Sequence, residues 1–319
     1  MWIRAVLLMA ALAGCSSKDS GVSGDSGVSS DMSISGGGDD LTGTQTIEAS
    51  IGPIAVPAGT ERTVCSTFLL GNTTALDVVQ IDATLLPGSH HLIFYESTAT
   101  TEAKDPVDCQ PLDLSNGKPI YIAETQGGNL LNFPTGVAYH LAANQMIRIE
   151  AHYLNATPNA IMGMGTVRLV GGPPASYQAA DIMFCGSVTK LVSPGVPPGM
   201  SMLQPDFYQV PSGIKVFGLT THQHLRGTLM TVDKSSSTAA GTNLIMGKPY
   251  DNPPLVLFND ANLVSFAPGE GLRWQCSYDN LDSMTYTFGE SAQSNEMCFL
   301  WAYYFPSVGH FLAQQDCWK

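Results

Sequence analysis

At 319 residues, 44% of them hydrophobic and with 11 Tyr, 12 Phe and 4 Trp, the chain can build two ordinary cores, and disorder throughout is excluded. Its 27 acidic against 14 basic side chains give a net charge of -13, so nothing favours a polyanion and no nucleic-acid partner is expected.

The first residues, MWIRAVLLMAALAGCSS, set Arg4 ahead of an apolar run from Ala5 to Ala13, with small residues before Cys15. That is signal-peptide organisation, and the run is too short to span a bilayer. Leu12-Ala13-Gly14-Cys15 resembles the lipobox of bacterial lipoproteins, which implies cleavage before Cys15, acylation of its thiol, and membrane contact through that lipid alone. Ser16 stands where an Asp would imply inner-membrane retention, so the expected location of this exported bacterial lipoprotein is the outer membrane or cell surface. From Ser16 to Gly43 the chain is Ser, Gly and Asp with little that could enter a core, and it reads as a flexible tether.

Beyond the tether, short β-branched and aromatic runs alternate with Gly, Pro and Asn punctuation, and no helical period is sustained. The fold class expected is all-β. Strands are predicted at Leu76–Leu85, His91–Glu96, Gln145–Tyr153, Gly165–Val170, Ile214–Val232, Leu255–Phe258, Arg273–Tyr278 and Met297–Phe305. The Gly171–Pro174 stretch, Gly-Gly-Pro-Pro, interrupts the strand pattern, and since Pro cannot extend a ladder it marks a domain joint, dividing β-sandwiches at 44–174 and 175–319. With Cys15 taken by lipid, Cys65, Cys109, Cys185, Cys276, Cys298 and Cys317 form an even set, which in an exported chain reads as three disulfides of open pairing.

Five of the seven His fall in three tight contexts: His90-His91, His152, and His222-Gln223-His224. Residues two apart on a strand share a face, so His222 and His224 can converge on one ion. His152 lies on the Arg148, Glu150, His152 face of its strand. The adjacent His90 and His91 can serve one metal only at a strand end or bulge, for which Pro87-Gly88 provide the setting. On the last predicted strand Met297, Phe299, Trp301 and Tyr303 share a face, and a thioether beside imidazoles favours copper, above all Cu(I), over zinc or magnesium. His140 and His310 have no partner pattern and read as structural or surface residues.

These segments together resemble the copper type II, ascorbate-dependent monooxygenases, the family of peptidylglycine α-hydroxylating monooxygenase and dopamine β-monooxygenase. The motifs are SHHL (Ser89–Leu92), EAHY (Glu150–Tyr153), THQHLRG (Thr221–Gly227), PGEGLRWQCSY (Pro268–Tyr278) and NEMC (Asn295–Cys298), spread over Cys65 to Cys317. The resemblance implies two jelly-roll-like sandwiches facing across a cleft and the disulfides Cys65–Cys109, Cys185–Cys317 and Cys276–Cys298. It also implies two copper ions per chain. His90, His91 and His152 would hold an electron-relaying copper, and His222, His224 and Met297 a catalytic one where O2 and a small organic substrate meet. Inserting one oxygen atom into a C–H bond and reducing the other to water takes two electrons, one per copper, reloaded by ascorbate or a similar reductant.

The chain departs from the peptide-hydroxylating members where they clamp a substrate carboxylate: Thr220, Phe299 and Trp301 stand there instead. Without a guanidinium a peptide terminus has no anchor, so an apolar or aromatic small molecule is the expected substrate, and core packing is the competing role for both rings. The rival readings are a non-catalytic surface copper-binding lipoprotein, a sandwich adhesion or carbohydrate-binding module, and a zinc hydrolase with Glu150 as the one nearby base.

Overall fold

The computed structural model describes residues 44–124, 129–247, 250, 253–308 and 317. The predicted signal peptide, Cys15, the 16–43 tether and His310 lie outside the described residues.

Strands are the dominant element of the described chain, as the β-branched and aromatic runs require, and four sheets result. Every strand up to Ala179 belongs to the first two sheets, and every strand from Asp181 onward to the other two. The first sheet runs Gln45–Val56, Ile161–Gly172, Leu76–Leu85, Val137–Leu141, Gln178–Ala179, the last of these parallel to its neighbour. The second runs Ala103–Asp108, Glu61–Leu69, Met146–Leu154, Ser89–Ser97, Gly117–Ala123. The third orders Asp181–Gly186, Cys298–Phe305, Lys215–Gln223 and Val256–Leu257. In the fourth, Gly271–Asn280 lies between Gly199–Met202 and Gly227–Ser235, with Thr242–Gly247 beyond.

The predicted run Ile214–Val232 is two strands, Lys215–Gln223 and Gly227–Ser235, reversing at His224 to Arg226 and entering different sheets. No Pro or Asn-Gly pair announces this turn; Gly227 N–H closes it on the His224 carbonyl at 2.9 Å. His224 therefore stands just past a strand end.

Two apolar cores form, and the strand Cys298–Phe305 serves both. Leu300, Ala302 and Tyr304 join the core of the second half. Phe299, Trp301, Tyr303 and Phe305, with Met297 just ahead of them, join a core otherwise built from the first half and reinforced by Ile182, Phe184 and Phe217. One face of this strand is thus packed along the boundary between the halves, which explains why it is buried throughout. The disulfides are Cys65–Cys109, Cys185–Cys317 and Cys276–Cys298, with Cα separations of 5.8, 4.4 and 6.0 Å.

Candidate metal centre

A turn at Leu86–Ser89 leads into the strand that carries the first two histidines. Gly88 there has φ of +91°, and a Cβ would meet Ile161 Cδ1 at 2.1 Å, so the turn requires glycine. The ladder to Met146–Leu154 shifts register between Ser89 and His91, making His90 the extra residue of a bulge. This is the irregularity that two adjacent histidines need in order to face one point. His91 pairs directly with His152, so these two rings share a sheet face.

In the second half His222 pairs with Phe299 and Thr220 with Trp301, which puts His222, Thr220, Phe299 and Trp301 on one face. Met297, just ahead of that strand, is buried in the same core as Phe299 and Trp301. The Tyr278 hydroxyl bonds the Met297 carbonyl at 2.8 Å, and Cys276–Cys298 ties its neighbour to the adjoining sheet.

The first set packs with ring-centroid distances of 5.2 Å for His90–His91, 5.2 Å for His90–His152 and 5.0 Å for His91–His152. His222 and His224 are 5.1 Å apart. The resemblance leads one to expect the two sets to stand apart, but they touch: His90 lies 5.0 Å from His222 and 5.5 Å from His224, and His91 lies 5.2 Å from His222. Ligand atoms lie within 4.8 Å of one another in His90/His91/His152, in His90/His222/His224, and in His91/Glu124/His222.

Each of these imidazoles presents a buried nitrogen with no hydrogen-bond partner: His90 Nε2, both nitrogens of His91, His152 Nδ1, His222 Nε2 and His224 Nε2. In three rings the other nitrogen is held, His152 Nε2 by Glu61 at 2.6 Å, His222 Nδ1 by Glu124 at 2.9 Å, and His224 Nδ1 by the Asn295 carbonyl at 3.3 Å. One nitrogen anchored and the other aimed inward is the arrangement of metal-bound histidine. Orphaned buried nitrogens cost free energy unless something binds them, so this set fits a metal ion better than it fits a packed core. Burial, reinforced by the crowding of neighbouring imidazoles, pushes His90 and His224 well below the usual histidine range and also lowers His91. Burial thus favours the neutral form of His90, His91 and His224, the form that donates a lone pair to a metal.

Beneath the first set lies a charged layer. Glu150 accepts the Tyr95 hydroxyl at 2.9 Å and the Leu112 amide at 3.1 Å, while Arg148 sits over the Tyr95 ring at 3.9 Å. Glu150 reaches His91 only at 3.9 Å. It is not the one nearby carboxylate that the sequence suggested: Glu61 and Glu124, distant in sequence and in no motif, bond the histidines directly. Tyr250, also unforeseen, sets its ring centroid 5.9 Å from that of His90 at a tilt of 47°. Phe299 and Trp301 are buried and stack on Phe184 at 4.5 and 3.9 Å. Beside them Thr220 Oγ1 and Trp301 Nε1 are buried without partners.

Residues 202–318 match the family model described as copper type II ascorbate-dependent monooxygenase, C-terminal domain. Among curated proteins, the DBH-like monooxygenase protein 2 of Homo sapiens is 24% identical over 68% of this chain and 47% of its own length. The DBH-like monooxygenase protein 1 of Gallus gallus is 23% identical over 69% of this chain and 39% of its own, and that of Mus musculus 22% identical over the same shares. The chain thus spans about half or less of the curated relatives it matches. Among solved structures, the major capsid protein P2 of bacteriophage PM2 aligns at a TM-score of 0.39 and 8% identity over 84% of this chain and 100% of that one, too slight a likeness to argue from.

Proposed function

We propose that the chain is a copper type II ascorbate-dependent monooxygenase, the family that its residues 202–318 match, and that it hydroxylates a C–H bond of a small, largely apolar substrate. The reaction would use O2, two copper ions per chain and ascorbate or a similar one-electron reductant. The observation that carries this reading is the convergence of buried, partnerless nitrogens from His90, His91, His152, His222 and His224. His90, His91 and His152 would hold one copper, and His222, His224 and Met297 the other. When bound, copper supplies the one-electron chemistry with O2 that no side chain here can perform.

The protein's own part is to fix the rotation of the rings through their held nitrogens and keep bulk water out. Thr220 Oγ1 and Trp301 Nε1 are hydrogen-bond donors without acceptors on the His222 face. They suit a substrate that is mostly hydrocarbon or aromatic but carries an acceptor atom, with Phe299 as the apolar wall. Export to the outer membrane or cell surface on a Cys15 lipid is part of the proposal, supported by the signal-peptide pattern and by three disulfides, which persist in an oxidising compartment.

One observation favours a second reading. The rings are buried and in contact across the two sets, an arrangement that also suits a non-catalytic copper-binding lipoprotein. Copper titration of the purified chain with oxygen uptake followed under ascorbate separates the two. Two equivalents of copper with substrate-dependent uptake are expected of the oxygenase; copper binding without uptake leaves the binding protein.

A further inference from the structure

Two first-half carboxylates outside the predicted ligand set reach across the boundary between the halves. Glu124 follows the first-half strand Gly117–Ala123, yet its Oε2 holds Nδ1 of His222, a second-half residue, at 2.9 Å. Its Oε1 is buried without a partner, and its ligand atom lies within 4.8 Å of His91 as well as His222. Glu61 opens the strand Glu61–Leu69 and holds Nε2 of first-half His152 at 2.6 Å. The same carboxylate accepts the Ser291 hydroxyl at 2.7 Å and the Ala292 amide at 2.6 Å, both from the second half. Ala292 in turn accepts the Leu225 amide at 3.3 Å, in the turn that follows His224.

A carboxylate on the outer nitrogen of an imidazole sets both tautomer and ring rotation. Within one domain that would be a local matter. Here His222 is set by the opposite half, and the carboxylate that sets His152 is itself pinned by the opposite half.

We propose that Glu124 and Glu61 are positioning residues that make the approach of the two halves and the aiming of the metal-binding histidines a single event. Separating the halves takes the acceptor from His222 and the clamp from Glu61, so both sets lose definition together; closing restores both. The inference rests on the copper reading above.

The test loads the copper-free full chain with Cu(II) and reads affinity by chelator competition and each ion by its electron paramagnetic resonance signal. Glu124→Ala is expected to weaken one of two copper equivalents 10- to 100-fold, the usual effect of removing such a partner, and to change one signal only. Glu124→Gln, whose amide oxygen still accepts from Nδ1, should recover most of the loss. Ser291→Ala removes one of the two second-half bonds that clamp Glu61 and leaves the Glu61–His152 bond in place; it should broaden the other signal, and it remains informative if Glu124→Ala does not fold. Wild-type affinity and spectra in Glu124→Ala and Ser291→Ala would overturn the inference while leaving the copper reading intact. A wild-type chain that takes up no copper at all would instead sink that reading, and this inference with it.

Discussion

The two histidine sets reach the same place by different means. The first is built inside one sheet: a bulge turns His90 beside His91, and a direct cross-strand partner supplies His152. Its surroundings are ionic, with Glu150, Arg148 and Tyr95 stacked underneath. The second set is built at the end of a strand and in the turn beyond it, against an aromatic stack of Phe184, Phe299 and Trp301 and a disulfide. An all-imidazole site in a polar bed suits either copper oxidation state, while imidazoles with a thioether in an apolar bed favour Cu(I). On the proposed function the difference would be a division of labour, the polar half holding and passing an electron and the apolar half meeting the substrate and O2.

His224→Ala breaks the comparison most severely. It removes a ligand from the apolar set only, so copper uptake should fall from two equivalents to one, and hydroxylation by about 1,000-fold or more, a barrier increase of about 4 kcal/mol. Equal loss of both coppers would show that the sets are not separate binding units. Trp301→Ala comes next. It opens the stack on Phe184, and a buried aromatic deleted to Ala costs about 3–5 kcal/mol, readable as a lower denaturant midpoint. Trp301→Phe keeps most of the stack but loses the indole donor, so the oxygenase reading expects a raised KM with stability nearly kept. An unchanged KM in that variant would leave the tryptophan as packing alone.

How legible each half was follows from the same difference. Spacing that repeats along one strand could be read from sequence: Leu76–Leu85 has the predicted bounds, and the side-by-side His90 and His91 announced their bulge. His222 and His224 were recognisable as a pair, but the turn that carries His224 was not, since the strand-like composition runs on through Leu225 and Arg226 to Val232. Glu61 and Glu124 could not be found, because each meets its histidine across 91 and 98 residues of sequence and neither sits in a motif. Contact between the two sets was hidden for the same reason. It depends on how sheets pack, and no local pattern encodes that.

A further effect should appear only in the second half. Glu296 is buried beneath the turn, where it accepts the Arg226 amide at 2.8 Å and the His224 amide at 3.2 Å. Burial raises its carboxyl to about 7, the backbone bonds only partly opposing it. In the copper-free protein the fold therefore binds this proton more tightly than the unfolded chain, whose carboxyl titrates near 4.5. The stabilisation is complete below pH 4.5 and is lost as pH rises through 7, at most about 3 kcal/mol from a difference of that size. Urea midpoints measured across that range should decline with pH, and Glu296→Gln should flatten the decline. A slope that persists in Glu296→Gln would assign it elsewhere.

His140 supplies the smallest expected effect and the sharpest control. Like His152 and His222 it has a carboxylate on one nitrogen, Asp77 at 2.5 Å from Nδ1. Unlike them it has no second imidazole near it among the described residues, and its side chain is 43% exposed. Asp77 is also occupied by the Ala175 amide at 2.8 Å, so it is satisfied without the histidine. An exposed pair of this kind contributes about 0–1 kcal/mol, screened by salt. His140→Ala should leave both copper equivalents and the hydroxylation rate unchanged, because a carboxylate-held ring becomes a metal ligand only where other rings aim their free nitrogens at the same point.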